Sequence, residues 1–250
     1  MNDEPLADIL AEARRLATAA GKRDLPLRLV GGLAVRIRAP DTFHPSLTRE
    51  YKDIDFVTPK GRSKPVAGFI AEMGYAPQEQ FNAMNGHERL LFHDMVNRRR
   101  LDVFIGVFRM CHEIPIGDRV TQDPMTVPLT ELLLTKLQIV HLNEKDLRDI
   151  VAILHHHDVS DQDGDTVHGG RVAALCAGDW GLWRTTKMNV ERVREGLGHY
   201  DLSAGERAVI EERLGRLWER MEAEPKSRGW RMRDRIGDRK RWYEEPEEVG

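Results

Sequence analysis

Several features that would narrow the chemistry are scarce or missing. There are only two cysteines in 250 residues, Cys111 and Cys176. They are too few and too far apart for a disulfide framework or a paired-cysteine metal site. No apolar run approaches the ~18 residues of a membrane span. The acidic start, "MNDEPLADIL", lacks an apolar core segment, so no signal peptide is expected and the expected location is cytoplasmic. Neither sign of charge dominates. The formal net charge of -3 argues against a chain coated in positive charge but leaves a local basic patch open. The phosphate-binding patterns G-x-G-x-x-G and G-x-x-x-x-G-K-[ST] are both absent, which counts against a Rossmann domain and a P-loop NTPase. In "DVSDQDGD", aligning Gly164 with the glycine of a calcium loop puts Val159 and Gly170 at its end positions, so the EF-hand pattern fails.

What is present suits a soluble globular chain of one large or two small domains, with 40% apolar and 32% charged residues. Residues 6–20 carry apolar positions at helical spacing. "LPLRLVGG" reads as a strand ending in two glycines, and "LAVRIRA" as a helix after them. "DIDFV" is a second strand and "KPVAGFIAEMGY" a helix. "ERLLFHDMV" and "RLDVFIGVF" are two further strands around the turn "NRRR". That order predicts a mixed α/β unit. Beyond residue 128 strand signals are few. "PLTELLLTKLQIVHL", with Thr130 as a candidate N-cap, predicts a helix, as do "EKDLRDIVAILHHH", "GGRVAALCA", "TKMNVERVREGL" and "AGERAVIEERLGRLWERMEAE". Residues 158–165 read as an acidic loop. The predicted division is a mixed sheet flanked by helices over 1–125 and a helical part over 126–250.

Within "YKDIDFV", Asp53 and Asp55 point to one face of a strand, roughly 6.5–7 Å apart, with Ile54 and Phe56 on the other. Two like charges so placed need either water or a divalent cation between them. Mg²⁺ takes one or two carboxylates plus substrate phosphates. Upstream, Gly31-Gly32 stands between a strand and a helix, where backbone N–H groups can approach a phosphate; tight turns use glycine pairs as well. Downstream, Asp102 sits in a strand with Leu101 and Val103 on the opposite face. Beside the Asp53/Asp55 strand it would complete three carboxylates. Such a set can hold two cations about 3.5–4 Å apart, as in-line phosphoryl displacement requires.

A strand ending in Gly31-Gly32, a helix, a loop, Asp53-Ile54-Asp55-Phe56 and a later Leu101-Asp102-Val103 together resemble the nucleotidyltransferase superfamily with the polymerase-β-type core, over residues 28–108. The resemblance implies an enzyme moving NMP from an NTP to an acceptor hydroxyl with release of pyrophosphate. Asp53, Asp55 and Asp102 would bind Mg²⁺ (two ions, or Mn²⁺), and Asp102 would accept the acceptor's proton. Gly31 and Gly32 would cradle the NTP phosphates. Many members have Ser after the second Gly; here Leu33 stands there, closer to the aminoglycoside-modifying branch.

In the helical part, Asp146 and Asp149 are i,i+3 neighbours, and Lys145 and Asp149 are i,i+4 neighbours. By themselves they suit a surface helix laced with ion pairs. Lys136 followed by Lys145-Asp146-Leu147-Arg148-Asp149-Ile150 resembles nucleotidyltransferase toxins of the abortive-infection (AbiEii-like) type, with Asn143 where that family has Arg. By that resemblance Lys136 contacts triphosphate oxygens, Asp146 positions Lys136 or the nucleotide, and Lys145 and Asp149 bind nucleotide. The implied acceptor is tRNA, another RNA or a protein, and the implied partner a cognate antitoxin. A small-molecule (antibiotic) acceptor and a nucleotide-binding module without catalysis are the alternatives.

Two further stretches stay open. "HHHD", His155–Asp158, suits a metal cluster, an HD-phosphohydrolase dipeptide, or histidines favoured by a helix C-terminus. "SRGWRMRDRIGDRKRWYEE" interleaves Arg with Trp230, Trp242 and Tyr243. This suits phosphate contacts and base stacking, or a solvated arm, or one that packs on its own domain.

Overall fold

The computed structural model describes residues 4–40 and 43–245; the outermost ends of both predicted domains lie outside these. The chain forms two compact units. One comprises Met1–Arg38, Arg49–Phe108 and Ile114–Pro128, the other Ala39–Thr48, Arg109–Glu113 and Leu129–Gly250. The sequence division near residue 125 carried neither of the two short excursions.

The first unit runs α1 (Ile9–Lys22), β1 (Arg28–Val30), α2 (Gly31–Arg38), β2 (Asp53–Thr58), α3 (Ser63–Glu72), β3 (Ala76–Pro77), α4 (Glu79–Asn85), β4 (Arg89–Asp94) and β5 (Arg99–Ile105). Two short strands follow, β6 (Val107–Arg109) and β7 (Glu113–Pro115). The main sheet has the order β1-β2-β5-β4-β3. Strand β2 runs parallel to β5, and the other neighbours are antiparallel. This is the mixed sheet flanked by helices that the sequence predicts. The alternation in β2 explains its place: Ile54, Phe56 and Thr58 are fully buried while Asp53 is exposed. Burial of Ile54 and Phe56 contributes roughly 1.5–3 kcal/mol each. Helix α1 starts later than predicted, because the Asp8 carboxylate caps it by accepting from the Ala11 N–H at 2.7 Å. Its buried Glu12 is satisfied by Arg15, by the Tyr75 hydroxyl at 2.9 Å and by the Leu6 N–H. Strand β3 and helix α4 carry no periodic signal and were not predicted.

The second unit is built on α5 (Leu129–Leu137), in which every residue is buried. It continues with α6 (Glu144–His156), β8 (Asp158–Ser160), β9 (Thr166–His168), α7 (Gly169–Gly178), α8 (Trp180–Gly196), α9 (Ala204–Ala223) and α10 (Arg228–Ile236). Side chains of Asn143, His168, Asp179, Ser203 and Ser227 cap α6 to α10. Two expectations are corrected, and one helix is added. Thr130 is not an N-cap: it lies inside α5, and its hydroxyl accepts the His168 N–H at 2.8 Å. Residues 158–165 are not all loop, since Val159 and Val167 are buried and pin β8 alongside β9. The segment after Lys226 contains a further helix, α10. The acidic residues of that loop answer to arginines of α9: Arg216 pairs with Asp158 and Arg220 with Asp161. Cys111 and Cys176 are both free and buried. No described helix is long and apolar enough to cross a membrane.

The histidines closing α6 make a testable electrostatic device. The His155 ring nitrogen lies 3.0 Å from Glu206. His156 packs on His155 and on Phe43, and its Nε2 is buried with no hydrogen-bond partner among the described residues. Burial, then the charges of His155, His157, His44 and Arg213, push the His156 pKa down to about 4. A base depressed on folding binds fewer protons folded than unfolded. The stability it contributes is therefore complete above the unfolded value near ~6.5 and is lost as pH falls toward about 4. After discounting for partial exposure, a loss of about 2 kcal/mol is expected over that window. Urea unfolding between those pH values should show it, and His156→Phe should flatten the slope.

Candidate active site

Three separated sequence pieces meet on adjacent strands of the first unit. Val30 ends β1 opposite Asp55 of β2, and the chain turns at once into α2. The turn needs Gly31, whose φ is +74°. A Cβ added there would lie 2.5 Å from Asp55 Oδ2, so the glycine also makes room for the carboxylate. At Gly32 the missing side chain makes room for the Arg49 guanidinium, which lies 4.5 Å over the Tyr51 ring. On the other side, the parallel register sets Asp55 beside Asp102 and Asp53 beside Arg100. In-register parallel neighbours share a face, so Asp53, Asp55, Arg100 and Asp102 stand together.

The side chains differ sharply in exposure. Asp53 is exposed and Asp55 half-buried, whereas Asp102 is 0% exposed. Asp102 Oδ1 accepts from Arg89 Nε at 2.8 Å and lies 2.6 Å from Arg89 Nη2. Its Oδ2 lies 2.9 Å from Arg100 Nε, without the alignment of a hydrogen bond. Guanidiniums are thus a third answer to the like-charge problem, beside water and a cation. Arg49, Arg89 and Arg100 were missed in the sequence. A signal existed for Arg100, which stands two residues before Asp102 in a strand and so shares its face. No local signal brings Arg89 to Asp102, because that contact depends on the pairing of β4 with β5.

The residues fit a divalent cation in part. Asp53 and Asp55 supply hard oxygen donors on one face, the number Mg²⁺ takes when phosphates and water complete its shell. Asp102 does not join them in this arrangement, being committed to two arginines. Among the described residues no group of three or more His, Cys, Asp or Glu side chains is arranged to hold a metal. Leu33 is 2% exposed, so the side chain after Gly32 faces the core.

Gly31→Ala tests the local design. It forces a side chain into a left-handed conformation and against Asp55, which should cost about 1–3 kcal/mol in urea unfolding. A variant as stable as the parent would show that Asp55 is not held against this turn.

In the second unit, Lys136 of α5 reaches α6, with Nζ 2.8 Å from Asp146 Oδ1 and 2.9 Å from Asp149 Oδ2. Burial pushes this ammonium down, but Asp149 and Asp146 outweigh it and hold its pKa above the ordinary lysine value. Asn143, where the family resemblance expects Arg, is the N-cap that starts α6: its side chain accepts the Asp146 N–H at 3.0 Å. Lys145 is exposed and stands apart from this triad; Asp149 pairs with Lys136 instead, and Arg148 with Glu144. Gly31, Gly32, Asp53, Asp55 and Asp102 therefore gather within the first unit, and Lys136, Asp146 and Asp149 within the second. Compared with known proteins, the chain matches no protein-family model and no curated sequence.

Proposed function

We propose that the chain is a divalent-cation-dependent nucleotidyltransferase that moves NMP from an NTP to an acceptor hydroxyl and releases pyrophosphate. The observation that carries the reading is the convergence of Gly31-Gly32, Asp53, Asp55 and Asp102 on three neighbouring strands, in register. Asp53 and Asp55 would hold the cation, Mg²⁺ or Mn²⁺, which when bound supplies charge neutralisation on the triphosphate and polarises the reacting oxygens. The N–H groups opening α2 can approach phosphate oxygens, with Arg49 beside Gly32 as a guanidinium for the same charge. Asp102 keeps Arg89 and Arg100 on the carboxylate face. Within the second unit, Lys136 is held by Asp146 and Asp149.

The acceptor favoured by the resemblance is RNA or a protein, in a toxin-like enzyme paired with an antitoxin. Expression alone should then arrest growth, which a small-molecule enzyme would not do. The commitment of Asp102 to two arginines favours a second reading, a nucleotide-binding module without turnover. The test is purified protein with each α-labelled NTP and Mg²⁺ against tRNA, protein and aminoglycoside or lincosamide acceptors. Label transferred with stoichiometric pyrophosphate supports the first reading. NTP binding by calorimetry with no transfer to any acceptor selects the second.

A further inference from the structure

The C-terminal segment is the most asymmetric part of the chain in charge. Residues 226–243 hold eight Lys/Arg against two Asp, a net +6 inside a chain of formal net charge -3, before Glu244, Glu245, Glu247 and Glu248 close the sequence. Its tryptophans are engaged within their own unit. The five tryptophans all belong to one cluster, in which Trp183 meets Trp180, Trp218 and Trp230 at 5.1–6.3 Å, and Trp242 meets Trp180. The indole N–H groups are used internally: Trp230 donates to Cys176 O at 3.0 Å, Trp242 to Thr185 Oγ1 at 3.1 Å and Trp180 to Asp234 at 2.7 Å. Arg233 lies 4.2 Å over Trp180, and Arg184 clasps Asp238. The arm packs on its own unit, and tryptophan is its anchor.

That anchoring decides what faces outward. At about 100° per residue, Trp230, Arg233 and Asp234 form one side of α10, while Arg228, Arg231 and Arg235 line the other. These three, and Arg239 just beyond, are exposed, and their side chains make no hydrogen bond or ion pair among the described residues. Arg228 to Arg235 spans about 10.5 Å, roughly three phosphate intervals of one strand along a duplex axis. Beside them opens a cavity of about 570 Å³ lined by Trp183, Lys187, Arg235 and Arg239, among others.

We propose that this face is an RNA-docking surface that grips the phosphate backbone without reading sequence. Repeated arginine forks match phosphate oxygens. A membrane-surface helix would turn its tryptophan outward onto a broad apolar face. Here tryptophan points inward, and the only large apolar side chains exposed on α10 are Met232 and Ile236. A protein interface would centre on such apolar anchors, and these two lie to one side of the arginine stripe. The docking follows from the charge distribution alone; only the choice of RNA over DNA rests on the nucleotidyl-transfer reading.

The test is fluorescence anisotropy with a labelled RNA hairpin over a salt series, with a DNA hairpin of the same sequence and phosphatidylserine vesicles as comparison arms. Wild-type protein should bind the RNA with a steep salt dependence. The variant carrying R228Q, R231Q, R235Q and R239Q should lose at least about tenfold in affinity at low salt. Its log–log slope should fall by about 3–4 for contacts to duplex. The corresponding lysine variant should retain most binding, because charge is kept, and thermal melts should show both variants folded. Met232→Ser with Ile236→Ser should leave RNA affinity unchanged. Unchanged RNA affinity in the glutamine variant, tighter binding to DNA or to vesicles, or loss of RNA affinity with the serine pair overturns the proposal. Asp53→Ala with Asp55→Ala should bind RNA as wild type. Transfer without RNA binding would thus sink only the docking face, and RNA binding without transfer only the enzyme.

Discussion

For the proposed nucleotidyl transfer, Asp55→Ala is expected to lower the rate by about 10³-fold or more, with a melting temperature close to that of the parent. The magnitude is that of removing one group which stabilises charge in the transition state of acyl or phosphoryl transfer. Asp55 is half-buried and touches the turn at Gly31, while Asp53 is exposed, so neither supports the core the way Ile54 and Phe56 do. Asp53→Ala should follow it, and Asp55→Asn should fail as badly, because the amide keeps the shape but not the charge. The measurement is initial rate with saturating NTP over a Mg²⁺ titration. Transfer that survives the double substitution within a factor of ten would remove these carboxylates from the chemistry. Asp102→Asn separates two roles for the third aspartate. It breaks the pairing of the buried Asp102 carboxylate with the partly exposed Arg89 and Arg100 and should cost stability as well as rate.

The second large effect is on folding. Lys136→Met removes the ammonium that Asp146 and Asp149 share in a largely buried site, and breaking such a pairing costs about 3–5 kcal/mol. Urea unfolding at neutral pH should show that loss. The pH signature is distinct. The folded-state pKa of Lys136 lies above the unfolded value, so its contribution is fully present below the ordinary lysine pKa of ~10.4 and is lost as pH rises beyond it. Wild-type protein should weaken in that alkaline range, and the Met variant should lack this component. A variant within about 1 kcal/mol of the parent but devoid of transfer would show that the lysine serves a ligand rather than the packing of α5 on α6.

Much of the fold was legible because its signals are local. The period-2 alternation of "DIDFV" and "RLDVFI", and the helical spacing of residues 6–20 and of "ERAVIEERLGRLWERM", follow from burial of one face. Ser203 with Glu206 makes a capping box that any reading of adjacent residues can find. Elements with little periodicity escaped: β3 is two residues long, and β8 and β9 are held by one buried valine each. For the tryptophan-bearing arm the local sequence left stacking, a solvated arm and packing on its own domain open; the rings are spent on its own unit.

The candidate site divides the same way. By itself the sequence determined that Asp53 and Asp55 share a face, that Gly31 and Gly32 sit where a strand becomes a helix, and that Asp102 alternates with apolar neighbours. These are consequences of backbone geometry within a few residues. Only the tertiary structure decided that Asp55 stands beside Asp102, and that Arg49 fills the space over Gly32. It likewise decided that Arg89 and Arg100 neutralise the third carboxylate, and that Lys136 joins Asp146 and Asp149. Strand register and helix packing are set by burial summed over the whole unit. No short stretch encodes which distant charge a buried carboxylate will meet.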